Sequence, residues 1–170
     1  MRTTDGDMTR LTPERLAGLL CLASAAILAV ALAFEHIGGY VPCALCLRER
    51  VPYYAGIAGG GVAYAMLLAG RRGFASILLA LIALGYLINA GMGIYHSGIE
   101  WHWWPGPAEC ATDAGVTTDA GSLTDALSRT RLVRCDEAPW RFLGLSFAGW
   151  NVVLSLVLAA VAARAAFRTR

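Results

Sequence analysis

The chain has 170 residues, of which 57% are hydrophobic, and a formal net charge of +2. A soluble domain averages about 45–50% apolar residues, so this composition excludes an ordinary soluble globular domain. The small and scattered positive charge excludes the basic surface that nucleic-acid binding requires. Five cysteines are too few for a disulfide-dense secreted module.

Four stretches lack charged residues and are long enough to cross a hydrocarbon core, which needs about 20 helical residues. They cover residues 16–34, 51–69, 73–97 and 142–163. The sequence therefore predicts an all-α membrane protein, a single four-helix bundle over residues 1–170. We expect two outer loops, 35–50 and 98–141, and a short inner turn at 70–72.

The arginines indicate how the bundle is oriented. Eight of the fourteen basic residues lie in the two tails and the turn between the second and third spans: Arg2, Arg10, Arg15, Arg71, Arg72, Arg164, Arg168 and Arg170. Cytoplasmic segments near helix ends are enriched in basic residues, so we expect both termini in the cytoplasm. Four of the five cysteines then lie on the outer, oxidising side, where disulfides persist.

The second outer loop contains features of a membrane surface. Ser122 can cap a short helix with Leu123 and Leu127 on one stripe, and we expect this helix to lie on the membrane. Tryptophan is enriched at membrane–water interfaces. Four tryptophans occur near the ends of this loop: Trp101, Trp103, Trp104 and Trp140.

Cys43 and Cys46 form the sharpest local motif, since two cysteines separated by two residues can close a small disulfide ring that opens readily. Arg48 and Arg50 follow, and nearby cations and a helix N-terminus favour the reactive thiolate. Pro52 is tolerated only in a first helical turn. We therefore expect the second helix to begin at about residues 48–51, directly after Cys46.

A metal site and a static crosslink are the alternative interpretations of these cysteines. A four-cysteine zinc site normally uses two close pairs, but 24 residues separate Cys110 from Cys135. That spacing suits a disulfide across a loop that a partner protein can reach, although a purely structural crosslink remains open. Two pairs on one membrane face could also form a thiol relay, because disulfides exchange by thiolate attack.

Taken together, several segments resemble the DsbB family, the quinone-dependent inner-membrane partner of the periplasmic thiol oxidase DsbA. The resemblance covers about residues 16–165, with four helices in the expected order. The segments are Phe34-Glu35-His36, Pro42-Cys-Ala-Leu-Cys-Leu-Arg-Glu-Arg50, Trp104-Pro-Gly-Pro107 before Cys110, and Cys135-Asp-Glu-Ala-Pro-Trp-Arg-Phe-Leu-Gly-Leu-Ser146.

The resemblance implies a role for each of four cysteines. Cys110 matches the cysteine that a reduced DsbA-like partner engages in a mixed disulfide, with Cys135 as its disulfide mate. Cys43 matches the residue that exchanges with the Cys135 position. Cys46 matches the residue that interacts directly with quinone. The implied activity is a protein-disulfide:quinone oxidoreductase of the bacterial inner membrane.

The resemblance also implies a quinone site, for either ubiquinone or menaquinone. Arg50 matches the arginine of the Glu-Arg pair that supports quinone binding, and His96 matches a quinone-side histidine. No metal, haem or nucleotide is required. Arg48 is expected only to raise the thiolate character of the neighbouring cysteines.

Other polar residues in the spans are interpreted as structural. We expect Asn89 to hydrogen-bond between helices and Gly59–Gly61 to permit close helix packing. Cys21 should be an inert, small side chain, and Glu35 and His36 should be interface residues.

Two other functions fit part of the pattern. A non-catalytic tetraspan protein with a stapled outer loop explains Cys110, Cys135 and the tryptophans, but leaves the Cys43–Cys46 motif beside two arginines unexplained. A quinone reductase resembling vitamin K epoxide reductase has a similar architecture. Its Cys-x-x-Cys pair lies towards the end of a helix late in the bundle, whereas here the pair precedes the second span.

Overall fold

A computed structural model describes residues 12–107 and 135–169 of the chain. Four helices make up most of it: α1 (Pro13–His36), α2 (Ala44–Leu68), α3 (Arg72–Glu100) and α4 (Phe147–Thr169). Each is long and apolar enough to cross a membrane. The predicted four-helix membrane bundle is thereby confirmed, while Cys110 and the predicted helix after Ser122 lie outside the described residues.

Capping side chains fix the first turns of α1 and α2. Thr12 caps α1 by accepting a hydrogen bond from the backbone N–H of Arg15, and Pro13 occupies the first helical position, where its missing N–H costs little. At α2 the cap is Cys43, whose Sγ accepts from the backbone N–H of Cys46 at 3.1 Å. The Cys-x-x-Cys motif is therefore itself the start of a helix.

The predicted start of the second helix is wrong. The helix begins at Ala44, not at residues 48–51, and Pro52 lies inside it. An internal proline removes one backbone hydrogen bond, but spanning helices tolerate this where neighbouring groups satisfy the freed carbonyl. The cap at Cys43 sets the start, so Cys46 lies within the first turn and not before it.

The fourth helix begins later than the apolar stretch from residue 142. Two short strands, β1 (Arg141–Phe142) and β2 (Leu145–Ser146), pair antiparallel before it. Leu143 and Gly144 connect them with φ of 52° and 83°, the left-handed conformation that two-residue hairpin turns require. The indole of Trp150 donates a 3.1 Å hydrogen bond to a carbonyl of β1, which fixes this hairpin on α4.

Small residues allow the helices to approach closely. The most extensive interface joins α3 to α4, and the next joins α1 to α2. A Cβ on Gly60 would lie 3.1 Å from the backbone nitrogen of Cys21, and one on Gly59 would lie 2.7 Å from Ile82 Cδ1. The predicted close packing at Gly59–Gly61 is confirmed. Cys21 is a free cysteine that lies at the seam between α1 and α2, against Gly60.

A buried polar network ties three helices together in the middle of the bundle. Asn89 Nδ2 donates to Asn151 Oδ1 at 3.1 Å and to Ser155 Oγ at 2.9 Å, joining α3 to α4. The hydroxyl of Tyr53 on α2 donates to the same Asn151 oxygen at 2.7 Å. Asn89 thus has the interhelical role predicted from its position.

Candidate functional site

One end of the bundle carries the reactive cysteines. Cys43 and Cys46 are joined in a disulfide across the first turn of α2, with their Cα atoms 5.0 Å apart. Cys43 is buried and Cys46 is partly buried. The predicted small ring is therefore closed, with Cys46 beside the positive end of the helix dipole.

Cys135 packs directly against this pair. Its sulfur is disulfide-bonded, and its predicted mate, Cys110, is not among the described residues. Cys135 shares a buried apolar cluster with Cys43, Leu45 and Ile99. The Sγ atoms of Cys43 and Cys135 lie within 4.8 Å of each other, so the fold brings together one member of each predicted pair.

His96 lies against Cys43, near the end of α3. Its Nε2 is 3.7 Å from Cys43 Sγ, and its Nδ1 is 2.9 Å from Glu49 Oε1. All three side chains are buried. The resemblance implied a histidine on the quinone side. In the structure His96 lies beside the Cys43 sulfur and also lines the cavity described below.

Sequence reasoning missed Glu49 as a site residue, because it stands between Arg48 and Arg50 in a run that resembles a solvated surface. Once α2 is taken to begin at Ala44, Glu49 falls four residues after Leu45 and four before Tyr53. Both of these are buried, and residues four apart share a helix face. The signal was present, but only an earlier helix start would have revealed it.

Glu100, the last residue of α3, was also missed. It is 7% exposed, and its Oε2 has no hydrogen-bond partner among the described residues. Leaving a carboxylate buried without a partner is costly. A second buried acid therefore lies at the same end of the bundle as Glu49.

Arg50 forms an ion pair with Glu35 at the end of α1. Its Nη1 contacts Glu35 Oε2, and the two side chains are only 14% and 25% exposed. Glu35, expected to be an interface residue, also holds the arginine of the Glu-Arg pair. His36, the next residue, is exposed.

A cavity of about 870 Å³ adjoins the Cys43–Cys46 disulfide. All four helices and residues 137–140 contribute to it, and most of its wall is apolar. Its polar or ionisable wall side chains include Glu35, Glu49, Arg50, Tyr53, His96, Glu100, Glu137 and Asn151. A mostly apolar cavity with a few convergent polar groups is the usual form of a small-molecule site.

Aromatic rings form one side of this cavity. Trp140 stacks on Phe147 with 4.8 Å between ring centroids, and Phe34 meets Phe147 edge-on at 5.0 Å. Trp140 is thus part of the cavity wall. Trp101 and Trp103 are exposed, as expected for tryptophans at a membrane surface.

Comparison with known proteins identifies the family of this chain. Residues 13–165 match the model of the family described as "Disulfide bond formation protein DsbB". A Disulfide bond formation protein B of Marinobacter nauticus is 33% identical over 154 residues, covering 87% of this chain and 88% of the relative. One from Verminephrobacter eiseniae is 32% identical over 166 residues, covering 90% and 88%.

No solved structure matches the chain. The family match nevertheless includes the Cys43–Cys46 motif, Cys135, the first three helices and most of the fourth. The alignments cover 88% of each named relative. The chain therefore belongs to the DsbB family of disulfide bond formation proteins, which are multi-pass bacterial membrane proteins with a disulfide oxidoreductase role.

Proposed function

We propose that this protein re-oxidises a DsbA-like periplasmic thiol oxidase and passes the electrons through two cysteine pairs to a membrane quinone. In this proposal both termini are cytoplasmic, and the cysteine loops face the periplasm. The observation that carries the proposal is that the Sγ atoms of Cys43 and Cys135 lie within 4.8 Å of each other. If the two disulfides served only to crosslink loops, their sulfur atoms would not need to lie close together.

The thiol steps follow from this proximity. A thiolate of the reduced partner attacks Cys110, which breaks the Cys110–Cys135 bond and releases the Cys135 thiolate. Cys135 then attacks Cys43, breaking the Cys43–Cys46 bond and releasing Cys46 as a thiolate. When the partner's second thiol resolves the mixed disulfide, two electrons have moved from the partner to this protein, and the partner leaves oxidised.

The position of Cys46 favours the thiolate that this sequence produces. Cys46 lies in the first turn of α2, where unpaired backbone N–H groups stabilise negative charge. Arg50, one turn further on, shares the cavity wall with it. Both effects lower the cost of holding a thiolate beside the cavity.

The lining of the cavity supports a site for the head group of a quinone. Its aromatic and aliphatic walls suit a flat ring with an isoprenoid tail, and Arg50 and His96 are hydrogen-bonding groups suited to carbonyl oxygens. When bound, the quinone supplies a two-electron oxidant. In this proposal Arg50 and His96 hold the head group, whether ubiquinone or menaquinone, while Cys46 faces it.

Quinone absorbance tests the proposal in purified protein in detergent, after adding a reduced DsbA-like partner. We expect catalytic loss of the quinone signal with the native protein and at least about a thousandfold slower loss with Cys46→Ser, since the proposed relay gives the electrons no other route to quinone. A Cys21→Ser variant is the control, because Cys21 is free and lies in the helix seam. It should turn over normally.

Normal turnover in Cys46→Ser would contradict the relay. Absence of turnover with both ubiquinone and menaquinone, in folded protein with both disulfides intact, would instead favour a stapled tetraspan protein without catalysis.

A further inference from the structure

We propose that the fully reduced protein binds one Zn²⁺ ion at the junction of the two cysteine pairs, and that this ion arrests the thiol relay. The ligands are Cys43 Sγ, Cys135 Sγ and His96 Nε2, with Cys46 Sγ as the fourth. The inference goes beyond the proposed function, because it needs only that both pairs can be reduced and does not involve quinone.

The geometry provides most of a tetrahedral site. The two sulfurs and the imidazole nitrogen all lie within 4.8 Å of one another, and all three residues are buried. Cys46 is already bonded to Cys43, and both cysteines of a Cys-x-x-Cys motif commonly bind one zinc ion. The set is Cys₃His, one of the usual combinations for structural zinc. The sequence spacing concealed it, since the third sulfur comes from the far end of the chain.

A second, independent observation concerns the other ring nitrogen of His96. Its Nδ1 lies 2.9 Å from a carboxylate oxygen of buried Glu49. A zinc-binding histidine almost always donates its second N–H to a carboxylate or carbonyl, which fixes the ring and raises the basicity of the ligand nitrogen. His96 is therefore oriented with Nε2 towards the sulfurs before any ion is present.

The cavity offers an entry path for a cation. Four carboxylates line it, those of Glu35, Glu49, Glu100 and Glu137, and Arg50 is the one arginine in the described wall. Glu100 Oε2 has no hydrogen-bond partner among the described residues. An excess of acidic side chains around an apolar cavity raises the local concentration of divalent cations.

Redox state controls this site. Disulfide sulfur is a poor ligand, so the oxidised protein presents only His96. After two dithiol equivalents have reduced both pairs, Zn²⁺ displaces one proton from each of three thiols and forms three Zn–S bonds and one Zn–N bond. The thiolates are then tied to the metal and cannot attack a disulfide, so the relay stops in its reduced form.

Zinc titration of detergent-purified protein tests the proposal, in a Cys21→Ser, Cys110→Ser background that retains only the three proposed cysteine ligands. The protein is reduced with a phosphine, desalted under argon and titrated with Zn²⁺ against a chromophoric chelator. We expect one tightly bound ion per reduced chain. The oxidised chain of this background keeps only one cysteine thiol and His96 as ligands, so it should bind zinc much more weakly. Co²⁺ should give the visible bands of a tetrahedral thiolate site.

Three variants separate this site from a simple Cys-x-x-Cys chelate. His96→Ala and Cys135→Ser should each weaken zinc affinity by more than about tenfold, and Glu49→Gln, which changes only the outer carboxylate, by about tenfold, since outer-shell partners affect metal affinity by about 10–100-fold. His36→Ala is the matched control, because His36 is exposed, and should leave affinity unchanged. Circular dichroism checks that each variant is folded.

Failure to bind stoichiometric zinc in the reduced protein would overturn the proposal. Equal affinity in native and His96→Ala backgrounds would also overturn it, since the motif alone would then explain the binding. Either result leaves the quinone assay untouched, so the two proposals fail separately.

Discussion

The two halves of the bundle differ in what their side chains do. The half that contains Gly59–Gly61 is closed by small residues and large aliphatic side chains, with cross-helix spaces too tight for a Cβ. The other half opens into a cavity of about 870 Å³ and buries Glu49, His96 and Glu100 around a disulfide. One half is therefore tightly packed, and the other half holds the buried polar groups, which are costly to bury.

This division has a physical reason. In a bilayer, helices associate through close contact and interhelical hydrogen bonds, because lipid is as apolar as the side chains. Buried charge is expensive there and is retained mainly where it has a function. This difference between the two halves predicts that substitutions near the cavity change activity without changing stability. Substitutions in the closed half should change stability without changing activity.

Arg50→Ala should give the largest effect among the variants that leave the cysteines intact. It removes the one arginine of the described cavity wall, and hydrogen bonds to charged groups contribute about 1.5–3 kcal/mol. We expect the KM for quinone to rise by about 10–100-fold, with the thermal midpoint nearly unchanged. Arg48→Ala is the control, since Arg48 is exposed and does not line the cavity. Equal effects from both variants would mean that only general positive charge matters.

Gly60→Leu should damage the closed half instead. The new side chain would meet the backbone of Cys21 and Ala17 at the α1–α2 seam, and overpacking costs about 1–3 kcal/mol. We expect the thermal midpoint to fall by several degrees, since about 1 kcal/mol corresponds to ~2–4 °C for a chain of this size. The KM for quinone in the folded fraction should stay the same.

Gly85→Leu is the matched control for that experiment. Gly85 lies within α3, and nothing stands within 4 Å of where its Cβ would be. Its thermal midpoint should not fall. A drop as large as that of Gly60→Leu would show that any leucine in a helix destabilises this protein, and that close packing at Gly60 is not the cause.

Glu35→Ala should give a smaller effect at the cavity. Glu35 pairs with Arg50 through a partly exposed contact, and such ion pairs are usually worth about 0.2–1 kcal/mol. Loss of the partner should let the guanidinium move and raise the KM for quinone by about 2–5-fold. Glu35→Gln keeps an acceptor for the arginine and should restore most of the affinity. If it behaves like Glu35→Ala, charge matters more than position.

Much of the fold could be predicted from sequence because the relevant signals are local. Uncharged stretches of about 20 residues identify helices without knowledge of their partners, and Asn89 could be assigned an interhelical bond because an amide in such a stretch needs one. The start of α2 could not be predicted from Pro52. Proline is excluded from helix interiors only where no neighbouring group satisfies the carbonyl that it leaves unpaired. The cap supplied by Cys43 decided where the helix begins.

The site was only partly predictable, because its contacts join distant parts of the chain. Cysteine spacing and the family resemblance identified Cys43, Cys46 and Cys135, and the fold brings them together. Spacing from Leu45 and Tyr53 could have placed Glu49 on the buried face of α2, but only with the correct helix start, and it could not have named His96 as the partner. Nothing in the local sequence indicates that Glu35 reaches Arg50 from another helix. Charged residues resemble solvated ones until the partner that neutralises them is known.

The most direct test of the account is whether Cys43 and Cys135 exchange. A Cys46→Ser, Cys110→Ser double variant leaves these two sulfurs without their usual mates, and their separation of less than 4.8 Å predicts that they form a disulfide on mild oxidation. Mass spectrometry of a non-reduced digest should find the Cys43–Cys135 peptide pair as the main crosslink, with Cys21 still free. Recovery of Cys43 and Cys135 as free thiols from folded protein would contradict electron transfer between the two pairs.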